Sequence, residues 1–374
     1  MKKWICLLLA GCLALSLMGC RRKNKTPTSQ TDPINTTQGT NNNQANEKID
    51  LIAVCVPATT EDTVADDGTV LFQYTYQHMS LVLDKPDVAD KIILDFLNRV
   101  DSTKDSAAAT ETSAKSAYIA NQNWTPYLYH ITYSPMRIDH KVLSLFGNNV
   151  VYTGTTHPER TCVSASYDIQ TGDVLTLASI MKKDAAVKSF CDLVLAGLAE
   201  MAEGDYLYEN YKDTVRHRFE ADPAYDENWY FTQTGLCFYF APYEIAPYAS
   251  GVISVEIPYE KLTTLVHEAY QPEVRNQVTG KITAAPFKNE DATKFQNSAD
   301  AIVSNPGEMY TLQTDSAVQD VRIILSDKAS NYTVFAAFGL SSGDGIIVQT
   351  NDALRQKMKL TYKSGNETVS TNIG

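Results

Sequence analysis

The stretch GLCFYFAPYEIAPYASGVISVEIPY, residues 235–259, decides how this chain is read. Its flanks, GLCFYF and GVISVEIPY, read as two strands, and the residues between them as the turn that joins them. Pro242 and Pro247 fix the backbone φ after a buried strand, and Gly251 permits entry into the next one. Tyr243 and Tyr248 can pack their rings there while their hydroxyls reach a partner. The turn therefore supports two readings: a packing device, or a surface on which Tyr243, Glu244 and Tyr248 meet a ligand.

Working outward, NWYFT adds a third strand just upstream. Before it, residues 182–203 carry Val187, Phe190, Cys191, Val194, Leu195 and Leu198 on one helical face, with Gly204 as a stop, and a second helical stretch covers about Tyr208 to Phe219. Nearer the N-terminus, Val70, Phe72, Tyr74 and Tyr76 alternate with Leu71, Gln73 and Thr75 after an Asp67-Gly68 turn, the mark of a strand leaving a hairpin. Pro86 opens a helix in which Ile92, Ile93, Phe96, Leu97 and Val100 recur at helical spacing, and the Ala/Ser/Thr-rich run to about Ala120 extends it more weakly. Tyr127, Tyr129, Ile131 and Tyr133 alternate with His130 and Thr132, and MRIDHKV, NVVYTG and CVSASYDI continue the strands up to the turn Gln170-Thr171-Gly172-Asp173. After about Gly280, three sets alternate at period two between Ser/Asn/Gly/Asp clusters: Val321, Ile323 and Leu325; Tyr332, Val334 and Ala336; Met358, Leu360 and Tyr362. Strands and helices in separate blocks with hairpin-sized turns give an α+β fold, an antiparallel sheet with packed helices, followed by a small all-β, sandwich-like C-terminal domain.

The first twenty residues set the compartment. Lys2 and Lys3 lead into the apolar run Trp4 to Met18, which closes at Leu17-Met18-Gly19-Cys20 before Arg21-Arg22-Lys23. About fifteen apolar residues suit a secretory signal, whereas a membrane span needs about twenty. A cysteine directly after the cut resembles the bacterial lipoprotein signal, which implies lipid attachment (palmitate) at Cys20. Leu9-Ala10-Gly11-Cys12 has the same form but would leave an apolar run of only about eight residues. Residues 21–49 are polar and read as a disordered tether that holds the folded part roughly 30 Å from the membrane. The expected location is the outer face of the cytoplasmic membrane, lipid-anchored.

With 44 Asp and Glu against 32 Lys and Arg, a net charge of −12, the surface repels nucleic acid and anionic lipid and favours cationic partners. Cys55, Cys162, Cys191 and Cys237 are widely spaced in apolar or strand-like surroundings and read as buried thiols, with a disulfide left open by the extracellular setting. No nucleophile elbow, HExxH, P-loop or dinucleotide fingerprint occurs, so no catalytic residue, metal ligand or cofactor is assigned. His157, beside Pro158 on a turn, is either a base or ligand or a solvated side chain. Asp139 and His140, read on a strand, point to opposite faces and form no dyad.

Two runs carry a family resemblance. Phe238 to Gly251, followed by Ile257-Pro258-Tyr259 and Leu262, forms the first; Tyr152-Thr153-Gly154-Thr155-Thr156-His157, Tyr167-Asp168, Thr171-Gly172 and Leu175-Thr176-Leu177 form the second. Together they resemble the bacterial RsiV/PdaC-type extracellular domain, a domain-of-unknown-function family with many lipoprotein members. The resemblance covers about residues 51–270. It implies a PdaC-like N-terminal segment over 50–150 and an RsiV-type domain over 151–275. Known settings of the domain are an anti-sigma-factor ectodomain that binds lysozyme and a module attached to a peptidoglycan deacetylase. The deacetylase's Asp-Asp and His-x-x-x-His metal motifs, a sigma-binding region and a transmembrane helix are not found in the sequence, and Thr155 and Thr156 stand where the family has Gly and Ala.

The expected organisation is a signal peptide and lipobox at 1–20, a tether at 21–49, the two segments just named, and a C-terminal β domain at 281–374. The expected function is that of a Gram-positive, lipid-anchored, non-catalytic binding or sensing protein for a cell-wall or extracellular protein ligand. Lysozyme-like cationic proteins or peptidoglycan are the expected partners, the membrane is reached through Cys20, and Tyr243, Glu244, Tyr248 and His157 are the candidate contacts. The alternative is a cell-wall glycan hydrolase or other envelope enzyme, which requires ionisable groups converging in a pocket.

Overall fold

The computed structural model describes residues 51–373 except 56–57, 84, 121–122, 183–185, 202–205, 222–227, 273–277, 287–308, 328–329, 341–344 and 350–355. The lipobox at Cys20, the tether at 21–49 and the side chain of Cys55 lie outside the described residues.

Strand β1 (Leu51–Cys55) pairs antiparallel with β4 (Ser80–Leu83), and between them β2 (Ala58–Val64) and β3 (Val70–Gln77) form the hairpin read from Asp67-Gly68. Helix α1 (Pro86–Asp101) begins with Pro86 in its first turn and buries Val88, Ala89, Ile92, Phe96 and Val100. The Ala/Ser/Thr run does not extend it. Ser102 and Thr103 turn their hydroxyls back to the carbonyls of Arg99 and Val100, both at 2.7 Å, and α2 (Lys104–Ala117) starts as a separate helix. Strands β5 (Tyr127–Ile138), β6 (Val142–Tyr152) and β7 (Glu159–Asp168) complete a sheet in the order β2-β3-β5-β6-β7, parallel between β3 and β5 and antiparallel elsewhere. Asp139 and His140, expected on a strand, lie instead in the turn between β5 and β6.

The next segment packs helices α3 (Leu177–Ile180), α4 (Ala186–Met201) and α5 (Tyr211–Ala221) with a small antiparallel sheet of β8 (Trp229–Phe231), β9 (Gly235–Phe240) and β10 (Ile253–Pro258), ending in α6 (Tyr259–Leu262). Every residue of β9 is buried. Leu236, Phe238 and Phe240 join the core that holds Phe190, Val194 and Val215 of the helices, whereas Cys237 and Tyr239 pack with Phe146 and Cys162 of the large sheet. A strand covered on both faces needs apolar residues at every position, which is why GLCFYF shows no polar alternation.

The C-terminal strands are β11 (Ile282–Pro286), β12 (Met309–Thr314), β13 (Val318–Asp327), β14 (Ser330–Leu340), β15 (Gly345–Gln349), β16 (Met358–Ser364) and β17 (Glu367–Asn372). They form a three-stranded antiparallel sheet, β11-β12-β15, and an antiparallel set, β17-β16-β13-β14, whose last strand meets β5 in parallel with Ala337 opposite Ile138. Val321, Ile323, Met358, Leu360 and Tyr362 share one apolar cluster with Leu83, Ile92, Phe96, Ile138 and Leu143. The alternation read after Gly280 therefore does form strands, and the apolar faces of β13 and β16 complete the core begun by β4, α1 and β5. The fold is mixed α+β with small antiparallel sheets at its C-terminal end.

Candidate functional site

The β9–β10 connection is pinned from inside. Ile245 and Ala246 are buried at 0% and 1% exposure, Tyr208 donates its N–H to the Ile245 carbonyl (2.9 Å), and Tyr243 donates its own to Ala246 (3.0 Å). Glu244 points inward: its carboxylate accepts the Ala241 N–H at 2.9 Å and contacts the guanidinium of Arg218 on α5, which lies 5.5 Å from the Phe240 ring centre. Burial pushes the Glu244 carboxyl up, to about 7, against the pull of the Ala241 N–H. The Arg218 cation in contact opposes that rise, and we read the two as an ion pair.

Tyr243 does the opposite. Its φ is +71°, in the region where the Cβ crowds the carbonyl at a cost of roughly 1 kcal/mol, and its side chain is 58% exposed. The packing reading of the turn thus fails for Tyr243, because the left-handed backbone that closes the loop turns its ring outward. Tyr248 is half-buried and gives its hydroxyl to the Pro158 carbonyl at 2.6 Å. The ring of His157 stacks on it with centres 4.1 Å apart and planes at 17°, Tyr243 lies 5.5 Å from the same tyrosine, and the Tyr243 hydroxyl is 3.4 Å from His157 Nε2. Three of the four candidate residues, His157, Tyr243 and Tyr248, are therefore brought together from loops 86 and more residues apart, and Glu244 is the support beneath them.

The His157 loop leads into further rings. Tyr152 closes β6 with its ring 6.3 Å from Tyr127, Tyr127 stacks on Trp124 at 5.2 Å, and Trp124 meets Tyr118 edge-on at 5.5 Å. Gly154 takes φ +81° beside Tyr127, where any Cβ would come within 3.0 Å of the tyrosine hydroxyl. These four aromatic residues are half-buried. Alternation alone puts Tyr127 on a strand, and no local pattern marks any of the four as part of a site.

A second cluster is wholly internal. Arg137, 0% exposed, donates Nε to Asp139 at 2.7 Å and Nη1 to both the Tyr259 hydroxyl and the Tyr270 carbonyl, each at 2.7 Å, with Phe231 and Tyr259 rings over its guanidinium. Tyr259 donates its own hydroxyl to the Thr232 carbonyl at 2.8 Å. Burial pushes the Asp139 carboxyl up, but the Arg137 charge and the N–H groups of Lys141 and Val142 outweigh it and hold the group below its usual 3.8. The only sequence signal for this network was a lone Arg-x-Asp in an otherwise uncharged strand end. Cys191 and Cys237 are buried free thiols, and Cys162 is a half-buried one. Among the described residues no group of three His, Cys, Asp or Glu side chains stands together as a metal site requires.

Residues 178–260, from α3 into α6, match the family described as "Protein of unknown function (DUF3298)". That match spans less than a quarter of the chain. Two solved structures from that family are similar to it: one from Bacteroides fragilis at 18% identity and TM-score 0.45, covering 59% of this chain and 94% of that one, and one from Pseudomonas aeruginosa at 14% and 0.42, covering 59% and 97%. No curated protein matches. The matched segment supplies Tyr243, Glu244, Tyr248 and Arg218, whereas His157 and the rings from Tyr118 to Tyr152 precede it.

Proposed function

We propose that this protein is a lipid-anchored, non-catalytic binding or sensing protein of the cell surface, which takes a cell-wall or extracellular protein ligand on the face built by His157, Tyr243 and Tyr248. The observation that carries the reading is Tyr243, an exposed aromatic ring held out on a left-handed backbone that a smaller residue would occupy at less strain. Rigid aromatic side chains on fixed loops supply contact area at low entropic cost on binding. Glu244 supports the non-catalytic reading, since its carboxylate serves Arg218 and the Ala241 N–H, and the hydroxyl beside the imidazole belongs to Tyr243. The RsiV/PdaC-type resemblance agrees, with lysozyme or peptidoglycan as ligands, and the lipoprotein-type signal at Leu17-Met18-Gly19-Cys20 supports a location outside the membrane.

The test is titration of the mature protein with lysozyme, with a second small basic protein of similar charge, and with isolated cell-wall sacculi, each at low and high salt. Saturable binding of lysozyme alone or of sacculi, weakened by Tyr243→Gly, supports the reading. Equal binding of both basic proteins that salt abolishes, with none to sacculi, leaves only the acidic charge and removes it. For the anchor, Cys20→Ser should end palmitate labelling and membrane retention while Cys12→Ser should not.

A further inference from the structure

Two runs of rings, linked through the β6–β7 turn, make up a strip at one end of the large sheet. Register places Thr63 of β2, Phe72 of β3, Tyr127 of β5 and the Leu128–Tyr152 pair of β5 and β6 close to one rung, with Val151 of β6 opposite Glu159 at the start of β7. Along this edge run Tyr118, Trp124, Tyr127 and Tyr152, then Gly154 against the Tyr127 ring, then His157, Tyr248 and Tyr243. With neighbouring strands about 4.8 Å apart, five strands make the edge roughly 20 Å long. Tyr118, Trp124 and Tyr127 rest on the core of Leu71, Phe72 and Ala114, and Trp124 Nε1 is turned inside, so the strip does not show solvent that N–H.

The rings of the strip stand among few charges in a chain of net charge −12: the Asp67 carboxylate accepts the Tyr118 hydroxyl, and exposed Glu159 begins β7 beside Val151. No Asp, Glu, Lys or Arg occurs from Tyr118 through Ile131 or from Tyr152 through Pro158, and Glu244 is tied to Arg218. Thr153, Thr155 and Thr156 are exposed beside the rings. A partner chosen by charge would find little to pair with along the rings themselves, and nucleic acid, which also stacks on aromatic rows, is repelled by the molecule as a whole. What matches is a ligand with flat apolar faces and hydroxyl edges. The C–H face of a pyranose is weakly positive and settles on the negative face of an aromatic ring, while its hydroxyls exchange hydrogen bonds with threonine and tyrosine.

We propose that this strip binds an uncharged polysaccharide strand laid across the end of the sheet. The proposal rests on the surface-binding reading above and deepens it, since a lipid-anchored protein of that kind meets cell-wall glycan.

The mature lipoprotein in detergent is titrated, by calorimetry and tryptophan emission, with the disaccharide and hexasaccharide of N-acetylglucosamine and the hexasaccharide of glucose. Trp229 is 2% exposed in the core, so an emission change on binding reports Trp124. The expected result is saturable binding of at least one hexasaccharide, unaffected by salt, about tenfold tighter than the disaccharide and weakened about tenfold by Trp124→Ala or Tyr243→Gly. Should Trp124→Ala fail to fold, Tyr243→Gly, at an exposed ring, decides alone. No binding of either hexasaccharide, or binding that ignores Tyr243→Gly, overturns the proposal. Lysozyme captured through Tyr243 while the sugars fail overturns it and leaves the surface-binding function standing; loss of both ends both.

Discussion

Arg137 and Tyr243 stand at two junctions between the large sheet and the 178–270 region, and the two junctions are built from similar residues to opposite ends. At one, a turn of the sheet offers Arg137 and Asp139, the other side offers Tyr259 and Tyr270, and the guanidinium is fully enclosed. At the other, the β6–β7 turn offers His157, the β9–β10 loop offers Tyr243 and Tyr248, and one ring is 58% exposed. A buried charge without its partner is costly, so the first junction must be complete for the protein to fold. An exposed ring costs little to remove and is free for recognition. The contrast separates the residues that hold this molecule together from those that can serve a ligand.

The contrast can be broken most sharply at Arg137. Arg137→Met leaves the Asp139 carboxylate buried with no cation, and urea unfolding should show a loss of roughly 3 to 5 kcal/mol. A loss under about 1 kcal/mol would make the junction ornamental. Acid should act on the same pair. Because Asp139 is held below its usual 3.8, its contribution is complete above that value and disappears as pH falls through the lower folded-state value. Urea midpoints followed downward from pH 5 should therefore fall, and Asp139→Asn should flatten that part of the curve. Tyr259→Phe removes the hydroxyl between Arg137 and the Thr232 carbonyl and should cost about 1 to 3 kcal/mol by the same assay. Tyr243→Gly should do least: relief of the left-handed backbone offsets the added chain entropy of glycine, and the melting temperature should correspond to a change within about 1 kcal/mol. A loss above about 2 kcal/mol would return Tyr243 to the packing residues and erase the difference between the junctions.

Local pattern carried most of the secondary structure. The hairpin at Asp67-Gly68, the helix opened by Pro86, the face Phe190, Cys191, Val194 and Leu198, and the strands around PYEIAPYA are all visible in spacing alone, because each depends on residues close in sequence. Two local readings misjudged a boundary. The Ala/Ser/Thr run broke from α1 because Ser102 and Thr103 bond back to the helix end, and Asp139-His140 fell in a turn because the Asp139 carboxylate caps the Lys141 and Val142 N–H groups. Of the candidate site, His157, Tyr243, Glu244 and Tyr248 were legible from turn chemistry, but their division was not. Nothing in the order Tyr-Glu-Ile-Ala-Pro-Tyr says that the tyrosine goes out and the glutamate goes in to meet Arg218.

By itself, then, the sequence determined an α+β chain of short strands and amphipathic helices, an acidic surface, and a proline-bounded aromatic turn, since composition and periodicity act within a few residues. Only the tertiary structure decided that His157 stacks on Tyr248, that Tyr118, Trp124, Tyr127 and Tyr152 share one sheet edge, that the C-terminal strands complete the core begun by α1, and that Arg137 reaches Tyr259 across 122 residues. Those contacts depend on strand register and on which faces are covered, and both are set by the whole chain collapsing to bury its apolar surface rather than by any local run.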